Sequence, residues 1–267
     1  MKVEIDRWED GKDVRKVLYG LDRWEAHAAH AVRVEAAGCT VTVDRRHVGV
    51  GACAWDSAFL LIAYFEQQDI SSWKGCRLVE LGSGVGLLAI FLAKLGAQVV
   101  LTDQASVIPL LSSNVAANSS DCSSIAGRAQ LVKLDWDEPE DISAVLAAVG
   151  GQVDMVLAAD CCYVDEGGRS AYAETIICCC ANLSTSVNTC CLIAFENRSE
   201  VLLRDLRSAA SCHFATAAAR PSPTTSSSQD RGPQMWVDQR RACQVKNSAS
   251  SIPSHCPSPS SIQQAAA

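Results

Sequence analysis

The sequence predicts an α/β fold, in which a doubly wound, mostly parallel sheet carries helices on both faces. Three observations favour this fold: five apolar segments alternate with helix-like segments, a glycine-rich turn follows the first of the five, and no apolar run could span a membrane. The chain has 267 residues, of which 48% are hydrophobic, so one sizeable core can form.

The strands and helices follow from hydrophobic periodicity and from the glycines that interrupt it. Apolar runs predict five strands, over residues 76–81, 98–102, 129–133, 153–158 and 189–195. Helical spacing of apolar residues predicts helices over residues 55–67, 85–95, 105–118, 140–149, 168–183 and 199–210. Strands that alternate with helices in this way form parallel sheets, because each helix carries the chain back to the same end of the sheet.

The composition divides the chain into three regions. Residues 1–38 are charged and are predicted to form a partly helical N-terminal segment. Residues 39–212 are predicted to form the folded domain, which opens with a short hairpin of residues 40–43 and 47–50. Residues 213–267 are of low complexity, contain six of the eight prolines, and are predicted to be a disordered tail. This tail carries a net charge of +3, whereas the 212 residues before it carry −10.

Charge and cysteine content argue against several classes of protein. A net charge of −7 disfavours a general electrostatic grip on nucleic acid or on an anionic membrane. The first 20 residues alternate in charge and lack an apolar stretch, so no secretory signal is expected. The 14 cysteines include adjacent ones, such as Cys161–Cys162, which suit neither a disulfide framework nor a zinc site. We therefore expect free thiols, no metal and a cytoplasmic protein.

The most informative motif is Glu80-Leu81-Gly82-Ser83-Gly84-Val85-Gly86, the glycine loop, which joins a predicted strand to a predicted helix. Its glycines let the backbone approach a ligand closely, and the helix N-terminus presents free N–H groups. The spacing differs from the G-x-G-x-x-G of dinucleotide-binding folds, and the Glu80 carboxylate would repel a pyrophosphate. These features disfavour a nicotinamide-dependent dehydrogenase and favour a ligand with a cationic amino group, such as S-adenosylmethionine.

Asp103 is the second candidate for ligand binding. It follows the second predicted strand, where a carboxylate can accept both ribose hydroxyls of an adenosine. A helix N-cap is the alternative role for an aspartate at this place. The combination with the glycine loop favours ribose binding.

Five short motifs together indicate a family. They are Ala54-Trp55-Asp56-Ser57-Ala58, the glycine loop, Thr102-Asp103, Leu134-Asp135-Trp136 and Ala159-Asp160-Cys161-Cys162-Tyr163. In this order they resemble the seven-β-strand protein-lysine methyltransferases of family 16, which comprise the methyltransferase-like 21 group and related elongation-factor methyltransferases. The resemblance covers about residues 40–210. It implies a Rossmann-like class I fold that uses S-adenosylmethionine as cofactor.

The resemblance implies roles for individual residues. Trp55 would pack over the methionine part of the cofactor, Trp136 would lie beside the adenine, and Ala159 would make a backbone contact. Asp160 and Tyr163 would line the channel for the target lysine and are the candidate catalytic residues. The implied cofactor-binding residues are Trp55, Glu80, Gly82, Ser83, Gly84, Gly86, Asp103, Trp136 and Ala159. Core packing is the alternative role for Trp55 and for Tyr163.

The implied reaction is methyl transfer from the sulfonium of the cofactor to a lysine ε-amine of a protein. The amine must be neutral, although its free pKa is about 10.4. Partial desolvation in an aromatic-walled channel lowers that pKa, Asp160 can orient the incoming ammonium, and Tyr163 can offer its ring or hydroxyl. The implied partner is a protein substrate, such as an elongation factor or a chaperone. The enzyme is expected to be a monomer that binds neither nucleic acid nor membrane.

Two alternatives stay open at this point. Asp160-Cys-Cys-Tyr163 also resembles the acid-x-x-aromatic element of methyltransferases that act on nucleic-acid bases, so the substrate could be a base or a small-molecule amine. The family normally continues past the fifth strand with a helix and a β-hairpin, and no hairpin is recognisable after residue 212. A truncated or divergent C-terminus would leave a catalytically defective protein with an open sheet edge.

Overall fold

The computed structural model describes residues 1–18, 29–45, 52–119, 125, 127–164, 170–186, 188–196, 199–214, 217–219 and 233–239. No helix among these residues is long and apolar enough to cross a membrane. They form two principal sheets and the helices that cover the larger one.

The N-terminal region forms an antiparallel sheet. Its strands are β1 (Lys2–Glu9), β2 (Lys12–Leu18), β3 (Ala31–Ala36) and β4 (Cys39–Asp44), in the spatial order β2-β1-β3-β4. The prediction of a partly helical segment over residues 1–38 was wrong for the described residues 1–18 and 29–38. The apolar residues there alternate along each strand, so that Val3 and Ile5 of β1 are buried between outward-facing polar neighbours. This period of two is that of a half-buried strand.

The sequence predicts that residues 40–43 pair with residues 47–50 in a hairpin, and this pairing was wrong. Strand β4 pairs with β3 through a two-residue turn at Ala37 and Gly38, which both have positive φ, at 50° and 72°. Such turns match the twist of antiparallel strands. Residues 46–50 lie outside the described part of the chain.

The larger sheet contains the five predicted parallel strands, and this prediction is confirmed. They are β5 (Arg77–Leu81), β6 (Gln98–Asp103), β7 (Ala129–Lys133), β8 (Met155–Ala159) and β11 (Cys190–Glu196). The parallel part runs in the order β11-β8-β5-β6-β7, and two short strands, β9 (Tyr163–Val164) and β10 (Ser170–Ala171), pair beside it.

Six helices among the described residues connect these strands. They are α1 (Asp56–Glu66), α2 (Leu87–Lys94), α3 (Ile108–Ser119), α4 (Pro139–Ala148), α5 (Ala173–Leu183) and α6 (Glu200–His213). A 3-10 turn over Ile70–Trp73 precedes β5. Helix α5 begins five residues later than predicted, and Ser170–Ala171 is a strand instead.

Two apolar cores lie on opposite faces of the larger sheet. Successive residues of a strand alternate between them, so Leu78 and Val99 belong to one core and Val79 and Val100 to the other. The first core also contains α1, α2, α3 and the inner face of the N-terminal sheet, whereas the second contains α4, α5 and α6. Helices on both faces of a mostly parallel sheet are the doubly wound arrangement that the sequence predicts.

The C-terminal hairpin that the sequence did not reveal is present. Strand β12 (Ala217–Ala219) pairs with β13 (Pro233–Gln239), and β13 pairs antiparallel with β11, which completes seven strands. Strand β12 escaped sequence analysis because alanine has low β-propensity, and β13 because it lies within a serine- and proline-rich region. The remainder of residues 213–267 after Phe214 lies outside the described residues, so the disorder predicted there stays a prediction.

Candidate active site

One cavity lies at the carboxyl ends of β5, β6 and β8. This is the edge at which ligands bind to open parallel sheets. The cavity brings together residues from six separate parts of the sequence. Ten of the eleven predicted site residues line it: Trp55, Glu80, Gly82, Ser83, Gly84, Asp103, Trp136, Ala159, Asp160 and Tyr163.

The glycine loop passes under the cavity in a conformation that requires glycine at Gly82. Its φ is +59°, and a Cβ there would lie 2.9 Å from Cys161 Sγ and 3.0 Å from Trp136 Cζ2. Gly86 is the predicted site residue that the cavity lining does not include. A Cβ on Gly86 would lie 2.6 Å from Leu111 Cδ1, so its lack of a side chain serves packing between the loop and α3.

Hydrogen bonds hold the glycine loop against β6. The Ser83 N–H donates to the Thr102 carbonyl at 2.8 Å, and the Thr102 N–H donates to Ser83 Oγ at 3.2 Å. Thr102 Oγ1 in turn donates to the Glu80 carbonyl at 2.7 Å. These buried bonds fix the start of the loop relative to the end of the neighbouring strand.

Asp103 joins the end of β6 to the glycine loop. Its Oδ2 accepts the Gly84 N–H at 2.7 Å, and its Oδ1 accepts the Gln104 N–H at 2.8 Å. Burial raises the pKa of this carboxyl, and the two backbone N–H groups oppose that rise. Because α3 begins only at Ile108, Asp103 is not its N-cap. Each oxygen keeps a further lone pair for a ligand.

Glu80 is a buried acid with an unpaired oxygen. Its side chain is 2% exposed, and Oε2 has no hydrogen-bond partner among the described residues. Burial raises the pKa of Glu80 to about 8, and the nearby Asp103 carboxylate adds to the rise. A buried acceptor without a donor is unfavourable. A ligand that brings a cationic or N–H group to this wall of the cavity would relieve it.

Asp160 has an unusual backbone conformation where β8 ends. Its φ is +56°, which is uncommon for a residue other than glycine. Its N–H donates to the Ala194 carbonyl at 2.8 Å, and its Oδ1 accepts the Glu196 N–H at 3.1 Å. Both contacts are with β11, so the neighbouring strand holds the carboxylate at the cavity in a conformation that is unfavourable by itself.

An aromatic wall, formed by Trp136, Tyr163 and Tyr172, closes one side of the cavity. The ring centroids of Trp136 and Tyr172 are 5.3 Å apart at an edge-to-face angle of 74°, and those of Tyr163 and Tyr172 are 5.6 Å apart. Tyr172 escaped sequence analysis because the pattern places it inside the predicted helix 168–183. It precedes α5 with a φ of +63°, a rare conformation for a bulky residue.

Trp55 and Cys161 are two further residues of the cavity lining. Trp55 directly precedes α1, and its half-buried side chain lines the cavity instead of lying wholly in the core. Cys161 Sγ donates to the Leu81 carbonyl at 3.1 Å, and burial raises the pKa of its thiol well above the ordinary value. Cys161 is therefore a packing residue beside the loop and not a nucleophile.

The family follows from comparison with known sequences. A family model described as "Lysine methyltransferase" matches residues 36–211. The chain belongs to the lysine methyltransferase family. The matched range begins in the N-terminal sheet and ends in α6, so it includes every residue that lines the cavity.

Curated relatives of this lysine methyltransferase have related names. This chain is 35% identical to protein N-lysine methyltransferase METTL21A of Mus musculus over 160 residues. Those residues are 60% of this chain and 68% of the relative. The protein of the same name from Danio rerio is 34% identical over 61% of this chain and 70% of its own length. EEF1A lysine methyltransferase 3 of Mus musculus is 33% identical over 44% of this chain and 46% of the relative.

A solved structure with a similar fold is a 16S rRNA methyltransferase of T. thermophilus in complex with AdoMet and guanosine. The TM-score is 0.53 at 16% identity, over 89% of this chain and 58% of that chain. This similarity confirms the predicted class I methyltransferase fold. The family match and the relatives confirm lysine methyl transfer as the reaction and, with this fold, S-adenosylmethionine as the methyl donor.

The cavity of this lysine methyltransferase fits that donor on two observations. The unpaired Oε2 of Glu80 offers an acceptor to the cationic amino group of the methionine part. Gly82 and Gly84 line the cavity without side chains, so a ligand can approach the backbone of the loop closely. The unpaired oxygen of Glu80 and the exposed backbone of the loop therefore both suit the methyl donor.

The buried Glu80 carboxyl leads to a prediction about stability. Its folded-state pKa of about 8 lies above the ordinary 4.5, so the unfolded chain loses this proton at lower pH. The folded state is therefore destabilised progressively as the pH rises from about 4.5 to about 8. We expect Glu80→Gln to raise the melting temperature of the cofactor-free protein by about 5 °C or more at pH 8.5, and by much less at pH 5.

Thermal denaturation at the two pH values measures this effect. Glu174→Gln is the matched control, because Glu174 is an exposed carboxylate in the first turn of α5. Equal shifts at pH 5 and pH 8.5 would contradict a raised pKa at Glu80. Added S-adenosylmethionine should stabilise the unmodified protein more than Glu80→Gln, since the variant lacks the charge that favours the cationic ligand.

Proposed function

We propose that this lysine methyltransferase methylates a lysine of a protein substrate, with the cavity at the ends of β5, β6 and β8 as its active site. The observation that carries the proposal is the convergence there of a ligand-ready loop, three acids and an aromatic wall. Names of relatives support a protein substrate, since they are called protein N-lysine and EEF1A lysine methyltransferases. An elongation factor is therefore a candidate substrate, and a chaperone is a second one.

One end of the cavity would hold the methyl donor, which supplies an electrophilic methyl group on a sulfonium. We assign the ribose hydroxyls to Asp103, whose two oxygens are already oriented by backbone N–H groups. The methionine part would contact Glu80, Ser83 and Trp55, and Trp136 would stack beside the adenine. Gly82, Gly84 and Ala159 would make backbone contacts, while Gly86 supports the loop from behind.

The other end would receive the lysine, where Asp160 and Tyr163 are the proposed catalytic residues. The Asp160 carboxylate would attract the ammonium and orient it, because both lie in a partly desolvated cavity where charges interact strongly. Rings of Tyr163 and Tyr172 would surround the alkyl chain and offer their faces to the cation. Desolvation by these rings favours the neutral amine, which is the form that attacks the methyl group.

Tyr172 joins the two ends of the site. Its ring touches Trp136 on the proposed adenine side and Tyr163 on the proposed lysine side. Its positive φ shows that packing, and not local preference, determines where the ring points. We assign it the role of aligning the acceptor with the donor, which is the main catalytic contribution for a displacement of this kind.

We propose a cytoplasmic enzyme, supported by the free thiols of every cysteine that the structure describes. We also propose that it acts as a monomer. A nucleic-acid base as substrate is disfavoured by the net charge of −7 and by the match to a lysine methyltransferase family.

The decisive experiment is methylation of a cell extract with radiolabelled S-adenosylmethionine. We expect label in protein that is lost after protease and retained after RNase, and mass spectrometry should find it as methyl-lysine. The control is the same extract with the Asp160→Ala variant. Label that RNase removes would overturn the proposal in favour of a nucleic-acid substrate. A failure of S-adenosylmethionine to raise the melting temperature would indicate a catalytically defective protein instead.

A further inference from the structure

Strand β4 is an edge strand of the N-terminal sheet, and two asparagines of helix α3 form hydrogen bonds with its outer backbone groups. Asn118 Oδ1 accepts the Thr42 N–H at 3.1 Å and its Nδ2 donates to the Thr42 carbonyl at 2.7 Å. Asn114 does the same one turn earlier, where Oδ1 accepts the Asp44 N–H at 2.8 Å and Nδ2 donates to the Asp44 carbonyl at 3.1 Å. Each side-chain amide thus bonds to the backbone N–H and carbonyl that would otherwise pair with a neighbouring strand.

The spacing of the two asparagines matches the spacing of the strand. Four residues of a helix rise about 6 Å, and two residues of a strand span about 6.8 Å. Thr42 and Asp44 are two residues apart and therefore point their backbone groups in the same direction. Both asparagines are almost fully buried, at 2% and 4% exposure, so water has little access to compete for their side-chain amides.

Only Asn114 also reaches the glycine loop. Its Nδ2 donates to the Val85 carbonyl at 2.9 Å, whereas the Nδ2 of Asn118 donates to the backbone of Asn114 at 2.8 Å. The side-chain amide of Asn114 therefore accepts the N–H of Asp44 with its oxygen and donates its two N–H groups to the carbonyls of Asp44 and Val85. Gly84, next to Val85, gives its N–H to Asp103. The loop is thus held on one side by Asp103 and on the other by Asn114.

We propose that Asn114 is a positioning residue for methyl-donor binding, because it ties the Val85 carbonyl of the glycine loop to the N-terminal sheet. Without this bond the Val85–Gly86 peptide keeps the bond from the Gly86 N–H to the Ser83 carbonyl but loses its anchor on α3, so the loop that presents the Gly84 N–H to Asp103 is held less firmly. The inference rests on the proposal that the cavity is the donor site. It adds that the N-terminal sheet, which lines none of the cavity, acts on that site through Asn114.

The two asparagines form a matched pair for the test. Asn114→Ala and Asn118→Ala each remove both bonds to the backbone of one residue of β4, so both should lower the melting temperature. Only Asn114→Ala removes the bond to Val85. We expect its Kd for S-adenosylmethionine, measured by calorimetry well below the melting temperature, to rise about tenfold, the effect of losing one buried bond. The Kd of Asn118→Ala should stay within about twofold of the unmodified protein.

Three outcomes would overturn the proposal or support it. An unchanged Kd in Asn114→Ala, or an equal loss in both variants, would overturn it, since the bond to Val85 would then have no separate effect. A selective loss in Asn114→Ala, with a raised KM for the donor and an unchanged kcat, supports it. Should Asn114→Ala not fold, the uncharged pair Asn114→Ser and Asn118→Ser gives the same comparison. Because donor binding is measured without a substrate, failure to find a methylated lysine would not affect this result.

Discussion

Asp160→Ala is expected to reduce methyl transfer at least about a hundredfold, while the Kd for S-adenosylmethionine stays within about threefold. Asp160 lines the cavity beside Tyr163, and its position at the end of β8 is imposed by β11. Loss of the carboxylate removes the charge that orients the ammonium, but it leaves the glycine loop and Asp103 unchanged. Single-turnover rates with a methylated-lysine readout and calorimetry with the cofactor measure the two quantities separately.

The matched control for this prediction is Asp160→Asn. Asparagine tolerates a positive φ and keeps an oxygen for the Glu196 N–H, so it preserves the fold and removes only the charge. We expect it to be nearly as inactive as the alanine variant. Activity near normal in Asp160→Ala would exclude the proposed role. Activity in the asparagine variant alone would show that the hydrogen bond to β11, and not the charge, is what the reaction needs.

Asp103→Ala should have the opposite signature, with a Kd for S-adenosylmethionine raised about a hundredfold. Hydrogen bonds to a charged group contribute about 1.5–3 kcal/mol each, and the variant loses those that the carboxylate would make to the ribose. It also releases the Gly84 and Gln104 N–H groups, so the glycine loop loses an anchor. At saturating donor, the rate should recover more fully than in Asp160→Ala.

Calorimetry with Asp137→Ala as a control distinguishes loss of the proposed ribose contact from loss of a negative charge near the cavity. Asp137 is an exposed acid beside Trp136 that does not line the cavity, so its removal changes the local charge and no proposed contact. We expect its Kd to stay near that of the unmodified protein. An unchanged affinity in Asp103→Ala would contradict the ribose assignment.

Much of the site could be predicted because its residues belong to continuous motifs at strand ends. The glycine loop, Asp103 and Asp160 each follow an apolar strand, and the carboxyl ends of neighbouring parallel strands meet at one edge of the sheet. Tyr172 and Asn114 could not be found in this way. Tyr172 lies in a segment with helical periodicity, and its positive φ is a property of the fold. Asn114 looks like an ordinary polar residue of a helix until β4 lies against it.

The sequence by itself determined the five parallel strands, the family and the chemical character of the site, because these depend on local periodicity and on residue types at strand ends. Only the tertiary structure decided how the N-terminal and C-terminal regions are used. Strands β1 to β4 form their own sheet, and β12 and β13 extend the larger one, through backbone hydrogen bonds whose partner strands the sequence pattern does not specify. The contacts that join Val85, Asn114 and Asp44 likewise connect residues 29 to 70 positions apart, which no local pattern records.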